Sequence, residues 1–123
     1  MESQGINAVG EGFVVGMPFG FVALHHTGIE TEHWDLMIDV HGREGLISWR
    51  IMSEPSGWQQ EDVIAERISA HRRAYLTYEG PVSGNRGEVK RVREGAGRVL
   101  RTSPTHIRLW LEGNANCAVD LPL

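Results

Sequence analysis

The sequence predicts a mainly β protein, a compact antiparallel β-barrel of short strands with one or two short helices. Short apolar or alternating runs recur along the chain, separated by Gly, Pro, Ser and Asn, as is typical of barrels and sandwiches. Only one segment has apolar residues at helical spacing. A chain of 123 residues is long enough to bury one core and too short for two.

The predicted strands follow an N-terminal segment, residues 1–12, which is Gly-rich and lacks periodicity, so we expect it to be a flexible tail. Residues 13–123 are expected to form the single domain. We predict strands at Phe13–Val15, Gly20–Leu24, His33–Val40, Leu46–Ile51, Ala74–Tyr78, Gly87–Val92, Arg98–Arg101, His106–Glu112 and Cys117–Leu121.

The segment "SGWQQEDVIAERISAH" interrupts the strand pattern. Ser56 could act as an N-cap, and acidic residues follow it. The apolar residues Val63, Ile64 and Ile68 then recur at near-helical spacing. We therefore predict about two turns of helix here, covering one end of the barrel.

Composition and charge argue against several classes of protein. No apolar run could span a bilayer and the N-terminus lacks a secretory signal, so we expect a cytoplasmic protein with no membrane partner. The single cysteine, Cys117, has apolar neighbours and is expected to be buried. A net charge of −4 argues against a general affinity for nucleic acid, although the arginines of the second half could form a local basic face.

The segment "HWDLMIDV" carries the clearest functional signal. In a strand, its even-numbered apolar residues form a core face, whereas His33, Asp35, Met37 and Asp39 share the opposite face. His33 and Asp35 then lie about 7 Å apart along the strand. Both side chains could therefore reach one cation.

A third ligand could come from the end of the preceding strand, "FVALHH", through His26 or His25. Adjacent strand residues face opposite sides, so only one of the two should reach the site. Two imidazoles and one carboxylate suit Mn, Fe, Ni, Cu or Zn and leave positions open for water or substrate. The alternative is an H-x-D pair on an exposed strand, which is common without a metal.

A second group of polar residues lies in "SAHRRAYLTYEGPVSGNRGEV". It includes His71 and Tyr75, and then a turn at Ser83–Gly87 that is typical of a hairpin connection. In an earlier strand, Arg50 alternates with apolar residues and so lies on a polar face. Near a metal Arg50 could bind an anionic substrate; otherwise it is a solvated surface arginine.

In this order, these motifs resemble the 3′-phosphoesterase domain of bacterial DNA ligase D and, more closely, the stand-alone relatives of that domain. The resemblance covers about Phe21 to Gly95 and depends on the ordered set rather than on one motif. The set consists of "FVALHH", an H-[YFW]-D strand in "HWDLMI", an "SW" strand in "LISWRI", "AHRRAYLTYEG", and the Gly/Asn turn in "PVSGNRGEV".

The resemblance implies a β-barrel enzyme that removes a 3′-terminal ribonucleoside and then the 3′-phosphate from a DNA primer, using Mn²⁺. It implies metal ligands at His26, His33 and Asp35, a phosphate-contacting histidine at His71 and an active-site tyrosine at Tyr75. Zn²⁺ or another transition metal is the alternative cofactor. The expected partners are DNA or RNA–DNA 3′ ends, and a separate ligase or polymerase is a further candidate.

The chain departs from the family pattern where phosphate should bind. The family's H-Y-D-L-R strand has a phosphate-contacting arginine at the position of Met37, and "SWRIMSEPSG" lacks the ligase D lysine. A lost Arg–phosphate hydrogen bond is worth about 1.5–3 kcal/mol, or about ten- to a hundredfold in rate. We predict Arg50 and Arg86 as the phosphate-binding residues of this chain.

Two other functions are open from the sequence alone. A catalytically weak or inactive module of the same fold could bind nucleic-acid ends or a repair partner, and Met37 favours it. A non-haem iron oxygenase could combine His33 and Asp35 with a distal histidine, His71 or His106. The chain is short for the folds of such oxygenases.

Overall fold

The computed structural model describes residues 12–59, 63–113 and 116–123. It is mainly β, with 56% strand, and its antiparallel strands form one curled half-barrel sheet, which confirms the predicted fold class. Short 3₁₀ turns lie at Pro55–Gly57 and Arg73–Leu76. The strands are β1 Pro18–Thr27, β2 His33–Asp39, β3 Leu46–Ile51, β4 Ala65–His71, β5 Gly80–Pro81, β6 Glu88–Thr102, β7 His106–Glu112 and β8 Cys117–Pro122.

The strands follow the order β4-β3-β2-β1-β6-β7-β8 across the sheet, and β5 pairs with the start of β6. The long strand β6 joins the two halves, because it pairs with β1 along its first part and with β7 along its last. The sheet curls far enough that the Trp49 Nε1–H on β3 donates to the Pro122 carbonyl on β8, at 2.6 Å.

The curl depends on two glycines in β6. A Cβ added at Gly95 would lie 1.8 Å from the Glu112 carbonyl oxygen, and one at Gly97 would lie 2.2 Å from that of Trp110. No side chain fits at such distances, so glycine is what allows β7 to approach β6 closely where the sheet bends.

The two faces of the sheet carry different side chains. One face holds the main apolar core, in which Phe21, Leu36 and Trp49 are almost fully buried. The other face, here called the site face, holds a smaller apolar cluster consisting of Val22, Leu24, Met37, Leu46 and Val89. The functional residues predicted from the sequence lie on this second face.

Several predicted strands need correction. Phe13–Val15 is not a strand, because glycines with positive φ flank it at Gly12 and Gly16. The segment predicted as Ala74–Tyr78 is mostly the 3₁₀ turn Arg73–Leu76. Gly87–Val92 and Arg98–Arg101 are parts of one strand, β6, since the "GAG" between them continues the pairing instead of breaking it.

The predicted helix is wrong. The described part of that segment forms the edge strand β4, paired with β3, and Ser56 lies within a 3₁₀ turn instead of capping a helix. A helix would leave the backbone groups of β3 unpaired along one side, and a strand there satisfies them. Residues 60–62 of the segment lie outside the described residues.

The remaining predictions concern the termini and composition. The predicted tail, residues 1–12, lies outside the described residues except for Gly12. Cys117 is a buried free cysteine, as expected. Within the three described ranges, no helix is both long and apolar enough to cross a membrane.

Candidate metal centre and active-site pocket

An open pocket of about 410 Å³ lies on the site face, and most of the residues singled out from the sequence line it. Its apolar lining includes Leu24, Met37 and Val89. Its polar lining comprises His26, Asp35, Arg50, His71, Arg72, Tyr75 and Arg86. A pocket with an apolar floor and convergent polar groups is the usual form of a small-ligand site.

Three potential metal ligands converge at one end of this pocket. His26 and His33 are direct partners across β1 and β2, and Asp35 is the next residue on the same face of β2. One ligand atom from each of His26, His33 and Asp35 lies within 4.8 Å of the others. The register therefore brings together the three residues that the family resemblance assigned to the metal.

Hydrogen bonds to backbone carbonyls fix the tautomers of both histidines. His33 Nδ1–H donates to the Thr31 carbonyl at 3.0 Å, and His26 Nε2–H donates to the Arg86 carbonyl at 2.7 Å. A carbonyl only accepts, so the second nitrogen of each neutral ring carries a lone pair. Such outer hydrogen bonds are a common way to orient metal-binding histidines.

Two acceptor atoms of this cluster, one on His33 and one on Asp35, are buried and unsatisfied among the described residues. His33 Nε2 lies 3.3 Å from Asp35 Oδ1, and neither atom has a hydrogen-bond partner among the described residues. His26 Nδ1 lies 3.9 Å from Asp35 Oδ2. Acceptors that face one another in a buried place are unfavourable unless a cation lies between them. The three residues therefore fit a divalent transition metal.

The turn before β6 explains how the Arg86 carbonyl reaches His26. Gly87 has φ +75°, and a Cβ on it would lie 2.0 Å from the Thr27 carbonyl oxygen. Only glycine allows the turn to pack this tightly against the end of β1. The turn is a hairpin connection between β5 and β6, as predicted, and its backbone also orients a candidate ligand.

A β-bulge directs His71 to the site face. Ser48 pairs with Ile68, but Leu46 pairs with His71, so β4 has one extra residue between these pairs. If β4 were regular from Ile68 onwards, Ala70 would lie opposite Leu46 and His71 would face the core, because neighbouring strand residues alternate. The bulge thus brings His71 into the pocket.

The Ser48 hydroxyl determines which nitrogen of His71 carries the proton. Ser48 Oγ–H donates to the Leu46 carbonyl at 2.8 Å, so its oxygen accepts from His71 Nδ1–H at 2.8 Å. The lone pair of the neutral ring is therefore on Nε2. Burial lowers the pKa of His71; Asp35 opposes this shift and Arg50 reinforces it. The ring is accordingly neutral at pH 7.

Tyr75, in the 3₁₀ turn that follows β4, lines the pocket beside His71. The two rings meet edge to face, with centroids 5.5 Å apart. The Arg73 guanidinium anchors this turn to β2 through two hydrogen bonds to the Asp39 carboxylate, at 2.6 and 2.8 Å. These bonds keep the pKa of Asp39 below its ordinary value.

The two predicted phosphate-binding arginines differ in the hydrogen bonds that their guanidinium groups already make. Arg50 lies opposite Asp35 in the register, lines the pocket and has a buried Nε–H with no hydrogen bond among the described residues. Arg86 also lines the pocket, but its guanidinium donates to Ser83, through Nε at 2.7 Å and Nη2 at 3.2 Å. Met37 is fully buried in the pocket floor, where it offers no donor.

The structure also bears on two alternatives that the sequence leaves open. His25 faces away from the pocket and stacks on Trp34 with centroids 4.6 Å apart, so His26 is the histidine near Asp35. His106 lies in a different part of the sheet, on β7. An oxygenase triad that includes His106 therefore has no geometric support.

Sequence reasoning missed four contributors to the pocket. Ser48 and the carbonyls of Thr31 and Arg86 act through hydrogen bonds that depend on strand register and turn geometry. Arg72 lines the pocket beside His71, and its position in the "HRRAY" motif was the available signal.

Comparison with protein families gives one informative result. The family model described as the DNA ligase D 3′-phosphoesterase domain matches residues 24–116 of the 123-residue chain. The matched range includes all the pocket residues named above. The search of curated proteins gives no match.

Proposed function

The chain belongs to the DNA ligase D 3′-phosphoesterase domain family, and from this premise we propose that it is a metal-dependent phosphoesterase acting on nucleic-acid 3′ ends in DNA repair. Its reaction would remove a 3′-phosphate or a 3′-terminal ribonucleoside. The observation that carries this proposal is the pair of buried, unsatisfied acceptors, His33 Nε2 and Asp35 Oδ1, at the end of an open pocket.

His26, His33 and Asp35 would hold the metal, and Mn²⁺ is the ion we propose, with Zn²⁺ or another transition metal as the alternative. A bound divalent ion supplies positive charge for the phosphoryl oxygens and lowers the pKa of coordinated water. The chain contributes ligands whose lone pairs are already oriented by Thr31 and Arg86. Little reorganisation is therefore needed when the ion binds.

His71 and Tyr75 would act on the phosphate itself. Ser48 holds the Nδ1 proton of His71, so Nε2 is the nitrogen that can exchange a proton with a reacting oxygen. A neutral ring accepts a proton during attack and returns it to the leaving oxygen. Tyr75, edge-on to this ring, would hold His71 in place and hydrogen-bond the phosphate.

Arg50 would supply the cationic contact that Met37 cannot. Its side chain lines the same pocket, and its buried Nε–H has no hydrogen bond among the described residues. The only ion pair of its guanidinium among those residues is a distant one, 3.8 Å to Glu66. Arg86 would contribute after releasing Ser83, which makes it the weaker candidate. Charge-assisted contacts of this kind suit phosphate oxygens.

A primer ending in a 3′-phosphate or in one ribonucleotide tests the proposal. Incubation with purified protein and Mn²⁺ should give a 3′-hydroxyl end, and a chelator should stop the reaction. His33→Ala and His71→Ala should lose turnover while keeping the fold, as monitored by circular dichroism. Turnover that persists in both variants would contradict the assignment.

A second candidate function is a non-catalytic module that binds nucleic-acid ends, and Met37 is the observation that favours it. The side chain that replaces the family's arginine is fully buried in the apolar cluster of the site face. In that case the wild-type protein would bind a 3′-phosphorylated end without releasing phosphate. The primer assay, combined with a binding measurement, separates the two functions.

A further inference from the structure

A second recess, of about 220 Å³, adjoins the active-site pocket and shares Arg72 and Tyr75 with it. Its other lining residues include Tyr78, Pro81 and Ser83. This volume is below the roughly 300 Å³ at which small-molecule sites usually begin. The recess therefore suits one small planar group attached to whatever occupies the larger pocket.

Two tyrosine rings form the aromatic walls of this recess. Tyr75 and Tyr78 meet edge to face with centroids 5.8 Å apart, and Tyr78 is 38% exposed. A large aromatic side chain exposed to this degree beside a pocket is available for stacking. Aromatic side chains stack on nucleobases without regard to sequence, because every base has a π-face.

The recess is fixed in place before any ligand arrives. The Tyr78 hydroxyl donates to the Pro81 carbonyl, which locks the ring over Gly80. Arg91 holds the chain before and after Tyr78, since its Nη1–H donates to the Leu76 carbonyl at 2.9 Å and its backbone N–H donates to Glu79 Oε2 at 2.7 Å. A site of fixed shape loses little conformational freedom on binding.

The charge around the recess is suited to a phosphodiester chain. The Arg72 guanidinium lies 6.0 Å from the centre of the Tyr75 ring, on the boundary between the two pockets. No carboxylate lines the recess within the described ranges. A base in the recess would therefore have its sugar–phosphate near a cation and its 3′ oxygen directed towards His71.

We propose that this recess binds the base of the nucleotide whose 3′ oxygen carries the scissile phosphate. The inference rests on the proposed function for the orientation of the substrate, and it adds that the base of this last nucleotide is unpaired when it binds. A paired base could not enter the recess without leaving its helix. Tyr78 is then a base-binding residue, distinct from the groups that contact phosphate.

The test compares two oligonucleotide primers, each annealed to a longer template and ending in a 3′-phosphate, one complete but mismatched at its last nucleotide and one abasic there. With Mn²⁺, wild-type protein should hydrolyse the complete oligonucleotide with about tenfold higher kcat/KM. In Tyr78→Leu this ratio should fall to about one, and in Tyr78→Phe, the matched control that keeps the ring, it should persist. Equal hydrolysis of both oligonucleotides by the wild type would overturn the inference and leave the proposed function intact.

A binding experiment covers the case in which neither oligonucleotide is hydrolysed. Fluorescence anisotropy would then measure affinity for the same two oligonucleotides, and a tenfold preference lost in Tyr78→Leu would support the base site while refuting catalysis. Affinity independent of the base would overturn the inference. If Tyr78→Leu does not fold, 2-aminopurine as the last base replaces the variant: quenching on wild-type protein supports stacking, and unchanged fluorescence overturns it.

Discussion

Strand β2 has two faces that contrast in how completely their buried groups are satisfied. Leu36, on the core face, is fully buried among apolar side chains. Asp35, its neighbour on the site face, is 3% exposed and has a carboxylate oxygen without a hydrogen bond among the described residues. Burying such a group costs free energy that the fold does not recover by itself.

The contrast indicates what each face contributes to the protein. The core face stabilises the curled sheet, whereas the site face retains an unfavourable arrangement of acceptors, which the proposed metal ion would make favourable. A second carboxylate of β2, Asp39, strengthens this interpretation. It lies on the same face as Asp35 but is fully paired with Arg73.

The largest expected effect is on activity, in Asp35→Asn. Removing the charged ligand should lower Mn²⁺-dependent phosphate release about a thousandfold or more, because a metal supplies several kcal/mol to such reactions. The metal-free variant should unfold at a urea concentration equal to or above that of the wild type, since an amide N–H can donate to His33 Nε2. A clear loss of stability in the metal-free variant would contradict the conclusion that Asp35 is buried at a cost in free energy.

The matched control for that variant is Asp39→Asn. This change removes a paired carboxylate from the same strand face. It should destabilise the protein modestly and retain metal-dependent activity within about tenfold. Equal loss of activity in both variants would mean that any carboxylate of β2 is needed, against a specific role for Asp35.

The next effect concerns the core face, in Leu36→Ala. The truncation should lower the free energy of unfolding by about 2–5 kcal/mol, because Leu36 is fully buried. The folded protein should still bind one Mn²⁺, as followed by calorimetric titration. If metal affinity fell as much as stability, the two faces would not be separable.

A smaller effect is expected for Ser48→Ala. Without the serine oxygen, His71 Nδ1 loses its acceptor, and kcat should fall about tenfold with little change in KM. Ser56→Ala, which removes an exposed hydroxyl far from this hydrogen bond, is the control and should keep its kcat. An unchanged kcat in Ser48→Ala would show that Ser48 does not position His71.

The smallest expected effect is on the pH dependence of stability. The pKa of His71 is lowered from 6.5 in the folded protein by burial, so the unfolded chain takes up this proton first as the pH falls. Metal-free wild type should therefore lose stability below about pH 6.5 more steeply than His71→Gln. Urea midpoints of both proteins at several pH values measure this, and parallel curves would contradict it.

The parts of the fold that could be predicted from the sequence are those that depend on the alternation of apolar and polar residues and on the order of the motifs. The two faces of β2 were readable because apolar and polar residues alternate from His33 to Asp39, with Met37 as the exception on the polar side. The helix assigned to the segment after Ser56 failed, since its few apolar residues fit either period and the unpaired edge of β3 decided the outcome. The secondary-structure propensity of a segment takes no account of hydrogen bonds to a neighbouring strand, and here that pairing determined the structure.

The site was predictable in its residues but not in its hydrogen bonds. His33-x-Asp35 is visible in the sequence, and the family resemblance supplied His26, His71 and Tyr75. The bulge that turns His71 towards Ser48 depends on the register between β3 and β4, which composition does not reveal. The base recess likewise arises from a 3₁₀ turn at a position where we predicted a strand.

Titration of the metal-free protein with Mn²⁺ tests the central claim most directly. Calorimetry should show one ion bound per wild-type chain, the same stoichiometry for Asp39→Asn, and no comparable binding by Asp35→Asn. Binding should also raise the urea midpoint of the wild type, because the ion binds only the folded state. Absence of binding by the wild type, or equal binding by Asp35→Asn, would contradict the account.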